Sequence, residues 1–250
     1  MNFQIRKQLI LQTVESQGSV EVKDLAEILQ TSEITVRRDL AILAEQGLLY
    51  RTHGGAMKLS LTQNPISFSN KTATHATEKD YICQKANEFI QEGDTIFVDC
   101  GSTLFRLCPF IKHKRIKVIT NSLPVLYELI NTSISINLVG GEVDHQRQAV
   151  HGSIALEHLA RYHADKAFIG VDGISLHNGL SAASEKEASI ATAMASQSKE
   201  VFLLCDASKL EKNAYFQFAP LTLIHTLITD YNADKQLLEQ YRAKNLRVIQ

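Results

Sequence analysis

Apolar positions follow two regimes along the chain. Over the first 57 residues they mark short amphipathic helices, and from about residue 73 they gather into strand-like runs separated by helical patterns. The spacing predicts a helix over residues 2–17, where Ile5 and Leu9, then Ile10 and Val14, pair four apart. Gly18 is placed to end it. Val22, Leu25, Ala26 and Leu29 repeat the pattern and predict a second helix over 22–30. Ser32 is a good N-cap for a third helix, with Thr35 three positions on instead of the Glu of a full capping box. On that helix Val36, Leu40 and Leu43 share one face. Arg38 lies nearly opposite, with Thr35 and Arg37 on its flanks. Gly47 closes the helix. Residues 48–57 then predict two short strands around His53-Gly54-Gly55, whose paired glycines permit the positive φ of a tight hairpin. Arg51, His53 and Lys58 line its edge.

Between Lys58 and about Thr72 the pattern fades into Ser, Thr, Gln and Asn with one proline, as in a linker. The expected domains are therefore 1–58, a linker at 59–72, and 73–250. In the last of these, helices at 74–91, 102–110, 124–131, 153–162, 185–199 and 233–243 alternate with strands. The strands are expected at 95–99, 117–120, 135–139, 166–170, 200–205, 223–229 and 246–249. Short apolar runs alternating with helices predict an α/β domain with a mainly parallel sheet.

Composition changes this picture little. The 44% hydrophobic content supplies a sizeable core and argues against disorder. Cys83, Cys100, Cys108 and Cys205 show no C-x-x-C spacing, which fits reduced, buried thiols better than disulfides or a zinc site. Two histidine pairs, His145/His151 and His158/His163, do not share a helix face, so no metal or cofactor is expected. No apolar segment approaches a membrane span and the first residues lack a signal-peptide pattern. A cytoplasmic protein without membrane contact is expected.

Charge bears directly on the third helix. Capped helix, paired arginines and Gly-Gly hairpin are the parts a winged helix-turn-helix presents to double-stranded DNA. Arginine can bridge guanine O6 and N7 or clamp a phosphate, and sequence leaves both open. A solvated face is the competing reading, and charge supports it in part. Residues 1–60 carry seven Lys/Arg and seven Asp/Glu, a neutral balance where DNA-binding domains are usually basic. On the first reading, Ser32, Thr35, Arg37, Arg38, Arg51 and His53 face DNA, and a neutral domain would bind weakly unless copies pair across a repeated site.

Several polar clusters follow predicted strands, where open α/β sheets bind ligands. They are Asp99-Cys-Gly-Ser-Thr103, Thr120-Asn-Ser122, Gly140-Gly141, Gly170-Val-Asp172-Gly173 and Asp206-Ala-Ser-Lys209. Each alone is also what an ordinary strand-to-helix turn uses. Together they point to a polar pocket suited to a phosphate. Arg147, in the polar segment after Gly141, either reaches an anion or faces water.

Thr-Ser-Glu-Ile-Thr-Val-Arg-Arg-Asp-Leu at 31–40, followed by Glu-Gln-Gly-Leu-Leu-Tyr-Arg-Thr-His-Gly-Gly-Ala at 45–56, resembles the helix-turn-helix signature of DeoR-family bacterial transcription regulators. Thr31 stands where valine is common and Val36 where isoleucine is common. The strand-end clusters, in the same order, resemble the sensor domain of that family, which is similar in fold to ribose-5-phosphate isomerase and CoA-transferase-like proteins. The resemblance covers nearly the whole chain. It implies a repressor of a carbohydrate-metabolism operon, binding operator DNA as a homo-oligomer (dimer or tetramer) and sensing a sugar phosphate. Carried over by motif, Asp99, Gly101, Ser102, Thr103, Thr120, Asn121 and Ser122 are the implied phosphate and sugar contacts. Asp172 and Lys209 are implied for the sugar hydroxyls, and Gly141, lacking a side chain, would let a ligand or another loop approach the backbone.

A sugar-phosphate isomerase or acyl-transfer enzyme with an added N-terminal module is the rival class. Enediol chemistry needs a positioned base, and Asp172-Gly173 could offer one. But Ile174 and Ser175 follow where the isomerases supply a further acid. Glu185 likewise lacks a convincing glycine context for a CoA-transferase nucleophile. A non-enzymatic regulator is expected.

Overall fold

The computed structural model describes residues 3–17, 19–45, 48–51, 54–57 and 74–250. The chain divides into two units, Met1–Lys71 and Thr72–Gln250. The expected linker, 59–72, lies outside the described residues, as do Gly18, Gly47, His53 and Lys58.

In the first unit three helices, α1 (Phe3–Gln17), α2 (Val22–Ile28) and α3 (Glu33–Glu45), pack around one core. Ile10 and Val14 of the first predicted pairings are buried, but Ile5 is half exposed. Val36, Leu40 and Leu43 are fully buried, as their shared face requires. Three short strands, β1 (Ser19–Glu21), β2 (Tyr50–Arg51) and β3 (Gly55–Met57), form an antiparallel sheet in the order β1-β3-β2. The hairpin is as expected, and β1 is added to it. That third strand corrects the reason assigned to Gly55. A Cβ there would collide with the Val20 carbonyl oxygen of β1, so close approach of the strands demands glycine.

The second unit is built on a seven-stranded sheet of β4 (Thr95–Val98), β5 (Lys117–Thr120), β6 (Ser135–Leu138), β9 (Ala164–Ile169), β12 (Ser198–Leu204), β14 (Thr226–Ile228) and β15 (Arg247–Ile249). Its order is β15-β14-β12-β9-β4-β5-β6, and every pairing is parallel. Side chains alternate between two cores. Phe97, Ile119, Ala167 and Leu203 enter one, while Ile96, Val98, Val118, Phe168 and Phe202 enter the other. Both faces are therefore buried, which is why these strands appear in the sequence as continuous apolar runs. One face is covered by α4 (Ala76–Asn87), α5 (Ser102–Phe105), α6 (Cys108–Ile111) and α7 (Leu123–Leu129). The other is covered by α8 (Ser153–Leu159), α9 (Glu185–Ser196) and α10 (Lys235–Ala243).

Two departures from the predicted elements have physical causes. The helix expected over 102–110 is two single turns, α5 and α6, because Pro109 has no N–H to continue a helical ladder and instead starts the second turn. Two antiparallel pieces were not anticipated. One is the hairpin β7 (Glu142–Asp144) and β8 (Ala149–His151); the other joins β10 (Gly173–Ser175), β11 (Gly179–Ala182) and β13 (Phe216–Ala219). These strands are three or four residues long and carry no clear alternation.

The chain lays down β4, β5 and β6 in one direction, then returns to place β9 on the opposite side of β4. The strand order thus reverses between β4 and β9. In open α/β sheets the crevice at the carboxyl ends of such strands is where ligands bind.

Candidate functional site

On α3 the N-cap forms as expected. Ser32 Oγ accepts from the Thr35 amide at 3.3 Å and lies 3.0 Å from Thr35 Oγ1. Arg37 and Arg38 are both exposed. They are not equivalent: Arg37 Nη2 pairs with Glu33 Oε2 at 3.3 Å, whereas Arg38 has no ion pair among the described residues. Asp39, between them and the core, is buried and takes a two-point contact from Arg6 of α1. Nε and Nη2 of Arg6 lie 2.6 and 3.1 Å from the two carboxylate oxygens. This pair ties α1 to α3 and removes one acidic charge from the outer surface of the helix. Arg51 lies on β2 of the wing, and His53 falls outside the described residues.

In the second unit, Asp99 sits at the end of β4, at the reversal point. Its Oδ1 accepts from the Cys100 amide at 2.7 Å and its Oδ2 from the Gly170 amide at 3.2 Å, so the carboxyl staples β4 to β9. Burial pushes the Asp99 carboxyl above the usual carboxylate range, and these amides offset only part of that. Gly101 and Gly170 face each other there across the Leu104 side chain.

Thr120, Asn121 and Ser122 are fully buried after β5. Thr120 Oγ1 donates to the Val98 carbonyl at 2.6 Å and accepts from the Ser122 amide at 3.0 Å. Ser122 caps α7 through the Val125 amide at 3.3 Å. Asn121 Nδ2 donates to the Val150 carbonyl at 3.1 Å, drawing β8 against this loop, while its Oδ1 is buried with no hydrogen-bond partner among the described residues. Gly141, at φ +149°, brings the backbone so close to β8 that a Cβ would lie 2.6 Å from the His151 carbonyl oxygen.

His151, weighed in the sequence only as half of a metal pair and otherwise expected to be solvated or hydrogen-bonded, is neither in the fold. Only 1% of it is exposed, and neither ring nitrogen has a hydrogen-bond partner among the described residues. It lines a cleft of about 360 Å³ with Glu142, Asp144, Gln146 and Lys186. Beside it, Arg147 forms a two-point pair with Glu187 of α9, at 2.9 Å in both contacts, and its Nη2 lies 3.8 Å from Asp172 Oδ2. Ser184 caps α9 and also donates to Glu187 at 3.2 Å. Arg147 therefore faces neither water nor empty space. Burial raises the Cys100 thiol well above its usual value, with Asp99 and Glu187 adding to the effect and Arg147 opposing it.

The remaining candidates lie on either side. Lys79, buried on α4, donates to Ser102 Oγ at 3.1 Å, and Thr103 Oγ1 is buried with no partner among the described residues. Lys209 Nζ donates to the Val171 carbonyl at 2.6 Å, next to Asp172. Asp172 Oδ2 accepts from the Ala183 amide at 2.9 Å. The structure thus links Asp99, Asn121, Asp172 and the Gly141 turn to the His151–Arg147 group. Ser102 is instead engaged from α4. Among the described residues, no group of three His, Cys, Asp or Glu side chains could hold a metal ion, and no helix is long and apolar enough to cross a membrane.

His151 has a measurable consequence. Burial lowers its pKa; Asp99 and Asp144 pull it back up, while Lys186 and Arg147 lower it further. In the unfolded chain the imidazole takes a proton near pH 6.5, whereas in the fold it resists one. The stability this contributes is complete above that pH and is lost as pH falls through the folded value. The melting temperature should therefore drop between pH 7.5 and 5.5, and drop less in His151→Gln. Equal drops in both proteins would show that His151 is not responsible.

Residues 6–62 match the DeoR-like helix-turn-helix domain and residues 74–231 the DeoR C terminal sensor domain. The chain belongs to the DeoR family. Over 96% of both chains it is 36% identical to the lactose phosphotransferase system repressor of Lactococcus lactis subsp. lactis. It is 35% identical to the HTH-type transcriptional repressor GlcR of Bacillus subtilis, covering 88% of this chain and 86% of that one. It is also 33% identical to the uncharacterized HTH-type transcriptional regulator FruR of the same organism, over 96% of each. Among solved structures, ribose 5-phosphate isomerase A from Methanocaldococcus jannaschii matches 55% of each chain at 18% identity and a TM-score of 0.41. Chaetomium thermophilum eIF2B beta matches 67% of this chain and 53% of that one, at 18% identity and a TM-score of 0.47. This DeoR-family protein is a DNA-binding transcription regulator.

Proposed function

We propose that this regulator represses a carbohydrate operon in the cytoplasm and that a phosphorylated sugar, bound at the carboxyl edge of β4, β5 and β9, modulates its hold on DNA. The observation that carries the reading is His151, a buried imidazole whose two nitrogens have no partner among the described residues, with Asn121, whose Oδ1 is likewise unpartnered among them, bonded to the preceding residue Val150. Buried polar atoms are nearly always satisfied, so a group of orphans at a strand-order reversal supports a missing ligand. Arg147 and Lys186 supply positive charge near it, and Asp172 and Glu187 supply acceptors for sugar hydroxyls. Two of the relatives are named as repressors, one of them of a lactose phosphotransferase system.

Ligand changes DNA affinity only through a difference in its affinity for two arrangements of the protein. Helix-turn-helix proteins bind paired half-sites as symmetric oligomers, so a homodimer or homotetramer is the form in which this coupling would act. Thermal-shift measurements with hexose and pentose phosphates, the free sugars and inorganic phosphate test the reading. At a hundred times its dissociation constant, a ligand stabilises by about 2.7 kcal/mol, a rise of several degrees. The expected result is a rise with one sugar phosphate that the free sugar does not reproduce and that His151→Ala abolishes. No shift across the panel would sink the sensing role and leave the domain as an oligomerisation module.

A further inference from the structure

We propose that Ile34 is a specificity-determining residue that packs on the C5-methyl of a thymine in the operator's major groove. Ile34 is 80% exposed, more than any other large aliphatic side chain among the described residues. It is the second residue of α3, two positions after the Ser32 cap. The first turn of the second helix in a helix-turn-helix is the part that meets base edges. Val36, Leu40 and Leu43 face the core, so Ile34 and Arg38, one turn apart, lie together on the opposite side. An apolar side chain there gains nothing from water and nothing from phosphate. The thymine methyl is the one apolar group that the base edges offer in the major groove.

The neighbours of Ile34 suit that contact. Arg37 is drawn toward Glu33, and Arg38 has no ion pair among the described residues. The guanidinium can then take a guanine edge or a phosphate while the sec-butyl side chain of Ile34 covers the adjacent methyl. A β-branched residue in a helix has essentially one χ1 rotamer, so little entropy is lost when it is immobilised. The contact reads the thymine methyl itself, a group that the arginine donors cannot engage.

The inference rests on α3 being the DNA-reading helix, and one experiment separates the two. The full chain is used to enrich binding duplexes from a randomised pool. Each thymine of the resulting site is then replaced singly by deoxyuridine, and affinity is measured for wild type, Ile34→Val and Ile34→Ala. Wild type should lose roughly three- to tenfold at one thymine per half-site, the worth of one buried methyl. Ile34→Ala should show no loss at that thymine, and Ile34→Val an intermediate one. 5-Methylcytosine at the same position should recover part of the wild-type affinity lost on placing cytosine there. If Ile34→Ala keeps the wild-type deoxyuridine profile, the proposal is overturned, whatever its overall affinity. If Ile34→Ala enriches the same sequence as wild type, the proposal is overturned as well. A wild-type chain that enriches no sequence overturns the reading of α3 and this contact with it. Melting temperatures should agree within about a degree, since an exposed side chain contributes little to stability.

Discussion

Arg38→Ala should lower operator affinity by about ten- to a hundredfold, the worth of one bidentate base contact, and relax sequence preference at one base pair. Arg37→Ala costs less, because Arg37 is already shared with Glu33 and must leave that pair to reach DNA. Such an exposed i,i+4 pair is itself worth under about 1 kcal/mol, so its loss barely touches stability. Gel-shift titrations of both variants and the double variant, on a selected operator and a scrambled duplex, check this. If Arg38 clamps a phosphate instead, both duplexes lose affinity equally and the salt slope falls by about one. Unchanged binding in the double variant would remove α3 from the interface. Neither substitution should lower the melting temperature, because the core face of α3 and the Arg6–Asp39 tie are untouched.

Arg147→Ala should have the largest effect in the second domain. It leaves Glu187 mostly buried without its guanidinium and takes the cation away from Asp172. Breaking a buried pair from one side costs about 3 kcal/mol, enough to lower the melting temperature by several degrees. Replacing both partners separates structure from recognition. Arg147→Met with Glu187→Leu should recover most of the lost stability, since a packed apolar pair often matches a buried ion pair. The response to a sugar phosphate should stay lost, because the charge beside His151 is gone. A double variant that regains both stability and ligand response would make the pair purely structural.

Features that depend on neighbours a few residues away were legible in the chain. Ser32 with Thr35, and the Val36–Leu40–Leu43 face, are local, and the 3.6-residue period exposes them. The parallel strands were legible because burial on both faces forces apolar runs. The hairpin β7–β8 was not, since its strands are short and β7 is largely solvent-facing. Yet that hairpin carries Asp144 and His151 into the candidate cleft. The polar residues chosen by motif proved to be largely committed to the framework. Thr120 and Ser122 bond to backbone, and Asp99 joins two strands.

The sequence by itself determined the family, the helix-turn-helix with its outward arginines, and an α/β second domain with its strand-end clusters. Only the tertiary structure decided which polar groups are occupied and which are open. It joined Asp99 to Gly170, Arg147 to Glu187, and Lys79 to Ser102, and it left His151 buried without a partner among the described residues. The reason is physical. Helix period and capping arise from bonds a few residues apart, and so they leave a repeat in the chain. The partner of a buried charge is set by which strands lie side by side, across 23 to 71 residues here, and leaves no local pattern.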